Sequence, residues 1–252
     1  MKSQISIHPV SDLSKEQKKA LKRIGKYLTG FLSEQGKKIA GEIAAAYTAS
    51  TKADDAQTRA EEIITAAQFD EWDVVADELR DDLGGGFEQT AQIILGKLGI
   101  SDETAFDLVN ERSVAYADES AADLVTGISE TTRERLRELV TQAIEDAQGV
   151  QELQAAIEDD FTFSADRAET IARTEIGNAH MAGALEGAKA SGLTLKKFII
   201  RGSQDFDCPI CGLNELEGKI GLEEEFPSGD EGPLFHPNCE CTLVFDVVKS
   251  AE

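Results

Sequence analysis

All four cysteines of the chain lie in two short motifs near its C-terminus. Two residues separate Cys208 from Cys211, and one residue separates Cys239 from Cys241, while His236 stands three positions before the second pair. A Cys-x-x-Cys turn places two sulfurs close enough to share one ion, and thiolates prefer soft or borderline metals. These motifs constrain the fold strongly, because one shared ion would join two segments that are distant in sequence.

The two motifs predict a structural zinc site. Zn²⁺ in such a site takes four nitrogen or sulfur ligands in a tetrahedron. If residues 239–243 form a strand, both cysteines of the second pair point to the same face, because side chains alternate along a strand. The histidine could replace either of them. We therefore predict four ligands from five candidates: Cys208, Cys211, His236, Cys239 and Cys241.

Other roles for the cysteines remain open. Disulfides are typical of secreted domains, but the sequence shows no signal peptide, which favours a reducing compartment. The run Cys208-Pro209-Ile210-Cys211 is similar to a glutaredoxin-type redox motif, which should open a helix. Residues 212–218, bounded by glycines, look too short for that helix. A zinc deaminase would need His-x-Glu and Pro-Cys-x-x-Cys, and the sequence has neither. Zinc is favoured over disulfides, free thiols and redox chemistry.

The remainder of the chain is predicted to be mainly α-helical. Aromatic residues make up only 6% of the sequence, and its apolar residues are largely Ala, Leu, Ile and Val. Residues 1–13 are typical of a flexible arm. Ser14 and Gln17 form a capping-box pattern that opens a long helix to about Tyr47, which its glycines could interrupt. Shorter helices follow at 57–67, 70–83, 87–98, 102–126, 130–147 and 150–159, with Gly84-Gly85-Gly86 as a flexible joint and Gly127 as a stop.

A small α+β domain is predicted to follow the helical region. It should contain a helix over 165–190 and two antiparallel strands, at 197–201 and 242–248. The long loop between the strands, residues 212–235, is uncommon in a compact domain unless something clamps it, and zinc would do so. The predicted architecture is thus a helical region over 1–160 and a domain over 161–252 with a zinc-clamped β-hairpin.

Glu175 falls on the apolar face of the predicted helix 165–190. A carboxylate in that position must be paired, hydrogen-bonded or protonated. It could act as an acid or base. A structural role is favoured, because no histidine or nucleophile accompanies it in sequence. His180 lies beside the same face and is expected to be structural or exposed.

Several short runs together carry a family resemblance. The series resembles the Mu F-like minor head proteins of tailed phages, over about residues 160–246, and its last motif is the specific part. Glu240 departs from that family, which often carries a basic residue there. The matching runs are Ala172-Arg173-Thr174-Glu175, then Asp205, Cys208 and Cys211, then Gly218 and Phe226, and finally His236-Pro237-Asn238-Cys239-Glu240-Cys241.

The resemblance implies a structural function in virus assembly. Such a protein joins the procapsid at the portal and acts in head morphogenesis, DNA packaging or DNA ejection. Its implied partners are the portal protein and, beyond it, capsid or scaffold proteins. Its implied location is the head interior of the virion near the portal, and the host cytoplasm during assembly. No membrane partner is expected, because no apolar run approaches 18 residues.

Charge is distributed unevenly along the chain. The formal net charge is −23, although residues 1–38 hold nine basic and three acidic side chains. Lysines of the first helix recur every three or four residues and form a positive stripe, separate from an apolar stripe through Leu21, Ile24 and Leu28. The positive stripe predicts docking to an acidic partner, the portal first and DNA, weakly, second. Its members are Lys15, Lys18 or Lys19, Lys22 and Lys26.

A metal-dependent nuclease or hydrolase is the alternative function. It would use Glu175, Asp205, Asp207 and His236. A closed cysteine-rich site leaves no open position for a catalytic water, and acidic surroundings disfavour a phosphodiester substrate. The sequence therefore predicts no catalytic residues.

Overall fold

Helices dominate the computed structural model, which describes residues 4–50, 55–65, 67, 69, 72–101 and 103–248. A four-stranded antiparallel sheet accompanies them, so the predicted fold class is confirmed. None of the described helices is both long and apolar enough to cross a membrane. In chain order the elements are β1 (Gln4–Ile7), α1 (Lys15–Ala49), α2 (Ala56–Ile64), α3 (Asp73–Leu98), α4 (Glu103–Glu145), α5 (Val150–Glu158), α6 (Ala165–Ala190), β2 (Leu195–Ile200), α7 (Pro209–Glu217), β3 (Ile220–Gly221) and β4 (Thr242–Val247).

The first helix begins at the predicted capping box. The Ser14 amide donates to Gln17 Oε1 at 2.8 Å, and the Gln17 amide donates to Ser14 Oγ at 3.1 Å. The helix is continuous, although a break at its glycines was possible. Each exposed glycine costs roughly 1 kcal/mol, whereas full burial of one large aliphatic side chain contributes about 2 kcal/mol. Five aliphatic residues of α1 are at most 1% exposed: Ile24, Leu28, Leu32, Ile39 and Ile43.

Two predicted helix breaks are wrong. Gly84-Gly85-Gly86 lies inside α3, and Gly127 lies inside α4. The buried side chains of Leu83 and Phe87 flank the three glycines and hold α3 in place by packing. A Cβ added to Gly84 would lie 3.1 Å from the Cβ of Ala117, so a glycine suits this close approach of two helices.

The predicted flexible arm is also wrong in part, because residues 4–7 form strand β1. This strand pairs antiparallel with β4, with Ile5 opposite Phe245 and Ile7 opposite Leu243. Ile5 and Ile7 point inward and are buried. The two chain ends thus contribute neighbouring strands to one sheet. Residues 1–3 of the predicted arm lie outside the described residues.

The sheet has the strand order β1-β4-β2-β3. The predicted antiparallel pairing of the last strand with the strand after α6 is confirmed, and Ile199 stands opposite Leu243. The core of this region includes Phe245, Leu195 and Phe226 together with the side chains of three cysteines. The C-terminal sheet is therefore built on the same cluster that contains the cysteine motifs.

The chain divides into two compact units. Unit 1 comprises Met1–Lys22, Arg80–Ser120 and Thr170–Glu252, and unit 2 comprises Arg23–Leu79 and Ala121–Glu169. Neither unit is a continuous segment of sequence. The boundary near residue 161 between a helical region and an α+β domain stays a prediction.

Unit 2 has an apolar helical core that includes Trp72. Trp72 is 2% exposed, and its ring lies edge-on to Phe31 with 5.5 Å between the ring centroids. Its indole N–H donates to Gln35 Oε1 at 3.2 Å, so the polar group of the buried ring is satisfied. A Cβ on Gly36 would lie 2.8 Å from the Phe163 ring, which explains a glycine in this helix.

A buried polar network in unit 1 accompanies its apolar core. Gln17 Nε2 donates to Thr90 Oγ1 at 2.8 Å, and Thr90 Oγ1 lies 2.7 Å from His180 Nδ1. His180 is 2% exposed, which identifies the structural rather than the exposed alternative for this residue. Burial lowers the pKa of His180 to about 4, so its imidazole is neutral at pH 7.

Candidate metal centre

The first cysteine motif is held by a short helix. Cys208 is the N-cap of α7, and Pro209 occupies the first helical turn, where its missing N–H and fixed φ are favourable. Hydrogen bonding from the Cys211 amide lowers the pKa of Cys208. The predicted loop over 212–235 is wrong in part, because α7 continues to Glu217 and β3 follows at Ile220–Gly221. Gly218, whose φ of +74° suits glycine, ends the helix.

The second motif is a tight turn that leads into β4. The Cys239 amide donates to the His236 carbonyl at 3.1 Å and closes the turn. Asn238 has a φ of +59°, a left-handed conformation that asparagine tolerates better than most residues. Cys239 and Cys241 are both buried. The turn thus directs a histidine and two cysteines toward the interior of unit 1.

Asp205 links the two motifs. It is 2% exposed, and its Oδ2 accepts a hydrogen bond from the Glu240 amide at 2.7 Å. The backbones approach closely here, since a Cβ on Gly202 would lie 2.6 Å from the Cβ of Glu240. Gly202 is therefore the residue that lets the segment before α7 contact the second motif.

Four potential ligands converge at this place. One ligand atom from each of Asp205, Cys211, His236 and Cys239 lies within 4.8 Å of the others, so this group could hold a metal ion. Cys211 Sγ lies 3.2 Å from His236 Nε2 and 3.9 Å from Cys239 Sγ. His236 Nε2 lies 3.3 Å from Asp205 Oδ1. The group contains three of the five residues that the sequence predicts as ligands.

The donor set and its spacing fit zinc. With Zn–S near 2.3 Å and Zn–N near 2.0 Å, a tetrahedron separates two sulfur ligands by about 3.8 Å, and a sulfur from a nitrogen by about 3.6 Å. The corresponding separations from Cys211 Sγ are 3.9 Å to Cys239 Sγ and 3.2 Å to His236 Nε2. Two thiols, an imidazole and a carboxylate are all ligands that Zn²⁺ accepts.

The predicted ligands do not all occupy equivalent positions. Cys211, His236 and Cys239 belong to the cluster, whereas Cys208 and Cys241 lie beside it. Cys241 Sγ is 3.5 Å from Asp205 Oδ2, and the Cys208 thiol interacts with Cys211. The choice of four zinc ligands among the five predicted residues stays a prediction.

Asp205 was not predicted as a candidate ligand of the metal centre, although it appears among the runs of the family resemblance and among the residues of the alternative hydrolase. Its position three residues before Cys208 was the available signal, since a 3₁₀ turn over Ser203–Asp205 directs the carboxylate back toward the motif. The turn itself depends on the approach of Gly202 to Glu240, which is a tertiary contact.

The cysteines influence one another's ionisation. A hydrogen bond from the Cys241 thiol lowers the pKa of Cys239 to about 6. The pKa of Cys241 is raised because its thiol donates to Cys239 and is buried, and burial raises the pKa of Cys211. Burial lowers the pKa of His236, but the Pro237 carbonyl and Cys239 outweigh it, and the net direction is upward. A cation bound here would displace protons from these groups.

Glu240, which departs from the family pattern, also has a structural partner. Its Oε1 lies 3.5 Å from Nη2 of Arg173, a residue of the Ala-Arg-Thr-Glu run on α6. The ion pair joins two of the runs on which the resemblance rests. Glu240 therefore contributes to the attachment of the second motif to α6.

The residues of the alternative hydrolase do not form one site. Asp205 and His236 are members of the cluster, whereas Glu175 and Asp207 are not. Burial raises the pKa of Glu175 to about 7, and a hydrogen bond from Asn178 opposes this shift. The structural role of Glu175 stays a prediction.

Comparison with known proteins supports the resemblance found in the sequence. Residues 134–244 match the profile of the family described as "Phage Mu protein F like protein". The matched range contains all four cysteines and the whole metal cluster. Residues 134–244 are therefore similar to the Phage Mu protein F-like domain, whose family is one of phage head morphogenesis proteins.

A curated relative of unknown function was also found. The chain is 26% identical over 169 residues to "Uncharacterized protein YqbB" of Bacillus subtilis (strain 168). The match covers 62% of this chain and 55% of that protein, so the chain spans little more than half of the relative's length. No solved structure matches the chain at a significant level.

Proposed function

We propose that this protein is a minor head protein of a tailed virus. It joins the procapsid at the portal and acts in head morphogenesis, DNA packaging or DNA ejection. The observation that supports this proposal is the Mu F-like match over residues 134–244. Its place of action would be the head interior near the portal, with the host cytoplasm as the site of assembly, and capsid or scaffold proteins as further contacts. This role is structural and involves no catalytic turnover.

The Cys/His cluster is proposed to be a structural zinc centre of this domain. Four ligands from Cys208, Cys211, His236, Cys239 and Cys241 would hold the ion. Asp205 would either replace one of them or orient His236 from 3.3 Å away. When bound, zinc would fix the segment between β2 and β4 by joining α7 to the turn that precedes β4.

The basic stripe of α1 is the proposed portal-docking element. Lys15, Lys18, Lys19, Lys22 and Lys26 are all exposed. The contacts found for these lysines are weak, such as 3.8 Å between Lys19 Nζ and Glu16 Oε1. Exposed pairs of this kind contribute little stability, so the charges are accessible to an acidic partner.

The apolar stripe of α1 is not a free docking surface. Ile24 and Leu28 are 1% and 0% exposed and belong to the protein's own core, and Leu21 is half-buried. Docking through the basic stripe would therefore be mainly electrostatic and sensitive to salt.

The proposal can be tested by co-expression with a portal protein from the same genome. The intact chain should co-purify with portal assemblies and enter heads. Lys15, Lys18, Lys22 and Lys26 are changed together to Glu in one variant and to Arg in a matched control. The Glu variant should lose co-purification and the Arg variant should retain it.

Two outcomes would contradict the proposal. An intact chain that neither binds portal assemblies nor enters heads would rule out the head function. A Glu variant that binds like the Arg variant would rule out the stripe as docking element. If DNA rather than the portal were the partner, binding would be independent of sequence and steeply dependent on salt, since each neutralised phosphate releases a counterion.

A further inference from the structure

Helix α7 buries its polar face and exposes its apolar face. Cys211 and Asn214 are fully buried on the inner side. On the outer side the exposed fraction reaches 69% for Phe206 and 83% for Leu216. Single exposed apolar residues are common, but a contiguous group marks an interaction site. We define the α7 ridge as Phe206, Ile210, Leu213 and Leu216, which are all exposed.

The α7 ridge is held rigidly by polar contacts on both sides. Glu215 accepts hydrogen bonds from the Arg201 amide at 3.0 Å and from Arg201 Nε at 2.6 Å. Asn214 Nδ2 donates to Ser228 Oγ at 2.9 Å, and Asn214 Oδ1 accepts from the Ser228 amide at 3.1 Å. The apolar side chains therefore project from a fixed helix rather than from a fraying end.

A small hollow adjoins the ridge. It measures about 180 Å³ and is lined by Ile210, Leu213, Asn214, Pro227 and Ser228. This volume is smaller than the cavities that bind most small molecules, which span several hundred cubic ångströms. It is large enough to accept one side chain of a protein partner. The α7 ridge and the adjoining hollow together form one candidate docking surface for a protein.

The rim of this surface is acidic. Three exposed carboxylate residues flank the ridge in sequence or through direct contacts, and Asp230 accepts a hydrogen bond from Ser228 in the wall of the hollow at 2.7 Å. Arg201, which also lies over the Phe206 ring, is paired with Glu215. The three residues are Asp207, Glu217 and Asp230.

We propose that the α7 ridge docks a protein partner through an apolar pocket bordered by lysine or arginine side chains. The apolar ridge supplies the desolvated centre, and the acidic rim selects a basic border. Nucleic acid and anionic lipid surfaces are repelled by the same rim. Two copies meeting ridge to ridge would bring like charges together. The surface is separate from the basic stripe of α1, and the inference goes beyond portal docking.

The test uses the full chain co-expressed with the head genes encoded beside it. A photo-reactive benzoylphenylalanine replaces Leu213, which is exposed, and in the matched control it replaces Val114, which is 63% exposed on α4. After illumination, the crosslinked peptides are sequenced. The ridge position should crosslink to one site on another protein, bordered by Lys or Arg, and the control position should not.

A second arm measures the strength of the contact. Leu213→Ser combined with Leu216→Ser should lower the crosslink yield from a probe at position 210 at least tenfold, whereas Val114→Ser should leave it unchanged. Asp207→Lys combined with Asp230→Lys should also lower the yield, because the rim then repels a basic border. Retained Trp72 fluorescence and thiol accessibility would verify folding of each variant.

The inference and the proposed function fail in different ways. No crosslink at the ridge, or crosslinks only to a second copy, nucleic acid or lipid, would overturn the inference even if the chain enters heads. A crosslink to a basic-bordered protein site would support the inference even if the chain neither binds the portal nor enters heads. A chain that neither binds the portal nor enters heads would contradict the proposed head function alone.

Discussion

The segment from α7 to the turn before β4 in unit 1 and the helical core of unit 2 differ in the side chains that fill their interiors. In unit 2 the core consists of large apolar side chains on helices, such as Trp72, Leu136 and Leu153, which are at most 2% exposed. In unit 1 the segment from α7 to β4 has few such anchors. Cys211, Cys239 and Cys241 occupy core positions there, beside Phe226.

This difference predicts that the two regions lose stability in different ways when side chains are substituted or a metal is removed. A core of many apolar contacts loses stability gradually as single side chains are changed, because each contributes roughly 2–5 kcal/mol. A segment joined by a few metal ligands loses its stability together when the ligands separate, because metal-binding energy is folding energy. The comparison therefore leads to experiments that address one unit and monitor the other.

The largest effect is expected from removing the metal. A strong zinc chelator should expose residues 203–241 to hydrogen exchange, because on the order of 10 kcal/mol of binding free energy is lost. Fluorescence of Trp72, the only tryptophan, should report an intact unit 2. Cys211→Ser should reproduce the chelator's effect.

The control for this experiment is metal replacement. Zn²⁺ should restore protection of residues 203–241, and Mg²⁺ should not, because Mg²⁺ prefers oxygen ligands. If protection in this segment were unchanged after zinc removal, the two units would not differ in the way described.

The next effect concerns Glu175, a polar group in unit 1. Its pKa of about 7 in the folded protein exceeds the ordinary value of 4.5. The folded state therefore binds the proton more tightly, so this group's contribution to stability is complete below pH 4.5 and is lost as pH rises to about 7. Glu175→Gln should remove this loss. At pH 8 its free energy of unfolding should exceed that of the wild type by up to about 3 kcal/mol.

Denaturant unfolding of the wild type and Glu175→Gln across pH 4–8 checks this expectation. The difference in unfolding free energy should be small at pH 4 and should grow to its maximum above pH 7. Tyr116→Phe serves as a control, since Tyr116 is coupled to Glu175 but its own pKa of about 12 is outside this range. A constant difference at all pH values would show that Glu175 ionises normally.

The smallest effects come from a pair of glycine substitutions, one in each unit. Gly30→Ala should stabilise unit 2 by about 1 kcal/mol, because nothing lies within 4 Å of the new Cβ in a helix interior. Gly202→Ala should instead weaken zinc binding, because its Cβ would lie 2.6 Å from the Cβ of Glu240. Outer-shell changes typically reduce metal affinity by roughly 10- to 100-fold.

Chemical denaturation measures the first variant and competition with a coloured zinc chelator measures the second. Equal zinc affinity of Gly202→Ala and the wild type would show that the approach of the two segments does not support the centre. A destabilised Gly30→Ala would show that α1 needs this glycine for a reason beyond its packing.

The sequence predicted correctly those elements that neighbouring residues along the chain determine. The helix over 165–190 agrees with α6 at both ends, and the capping box at Ser14 formed as expected. The predictions failed where tertiary contacts determine the secondary structure. Glycines did not interrupt α3, because burial on either side outweighs their helix penalty. Strand β1 was missed because its partner, β4, lies at the other end of the chain.

The metal cluster was predictable in part. Soft ligands at short spacing predict a metal site with five candidates, of which Cys211, His236 and Cys239 belong to the cluster. Asp205 could not be assigned in this way, because aspartates are abundant in a chain with 48 acidic residues. Its role depends on a hydrogen bond to the Glu240 amide, which only the folded chain provides. The sequence therefore indicated the cysteines and His236 as candidates, but it did not separate the two cysteines of the cluster from the two beside it, and it did not single out the carboxylate.

The most direct test of the account is the metal content of the intact purified chain. Native mass spectrometry combined with elemental analysis should find one zinc ion per chain, with the thiols of Cys211 and Cys239 protected from alkylation until a chelator is added. A chain that contains no zinc after expression in zinc-supplemented medium, with all four thiols freely titratable in the folded state, would contradict the central claim.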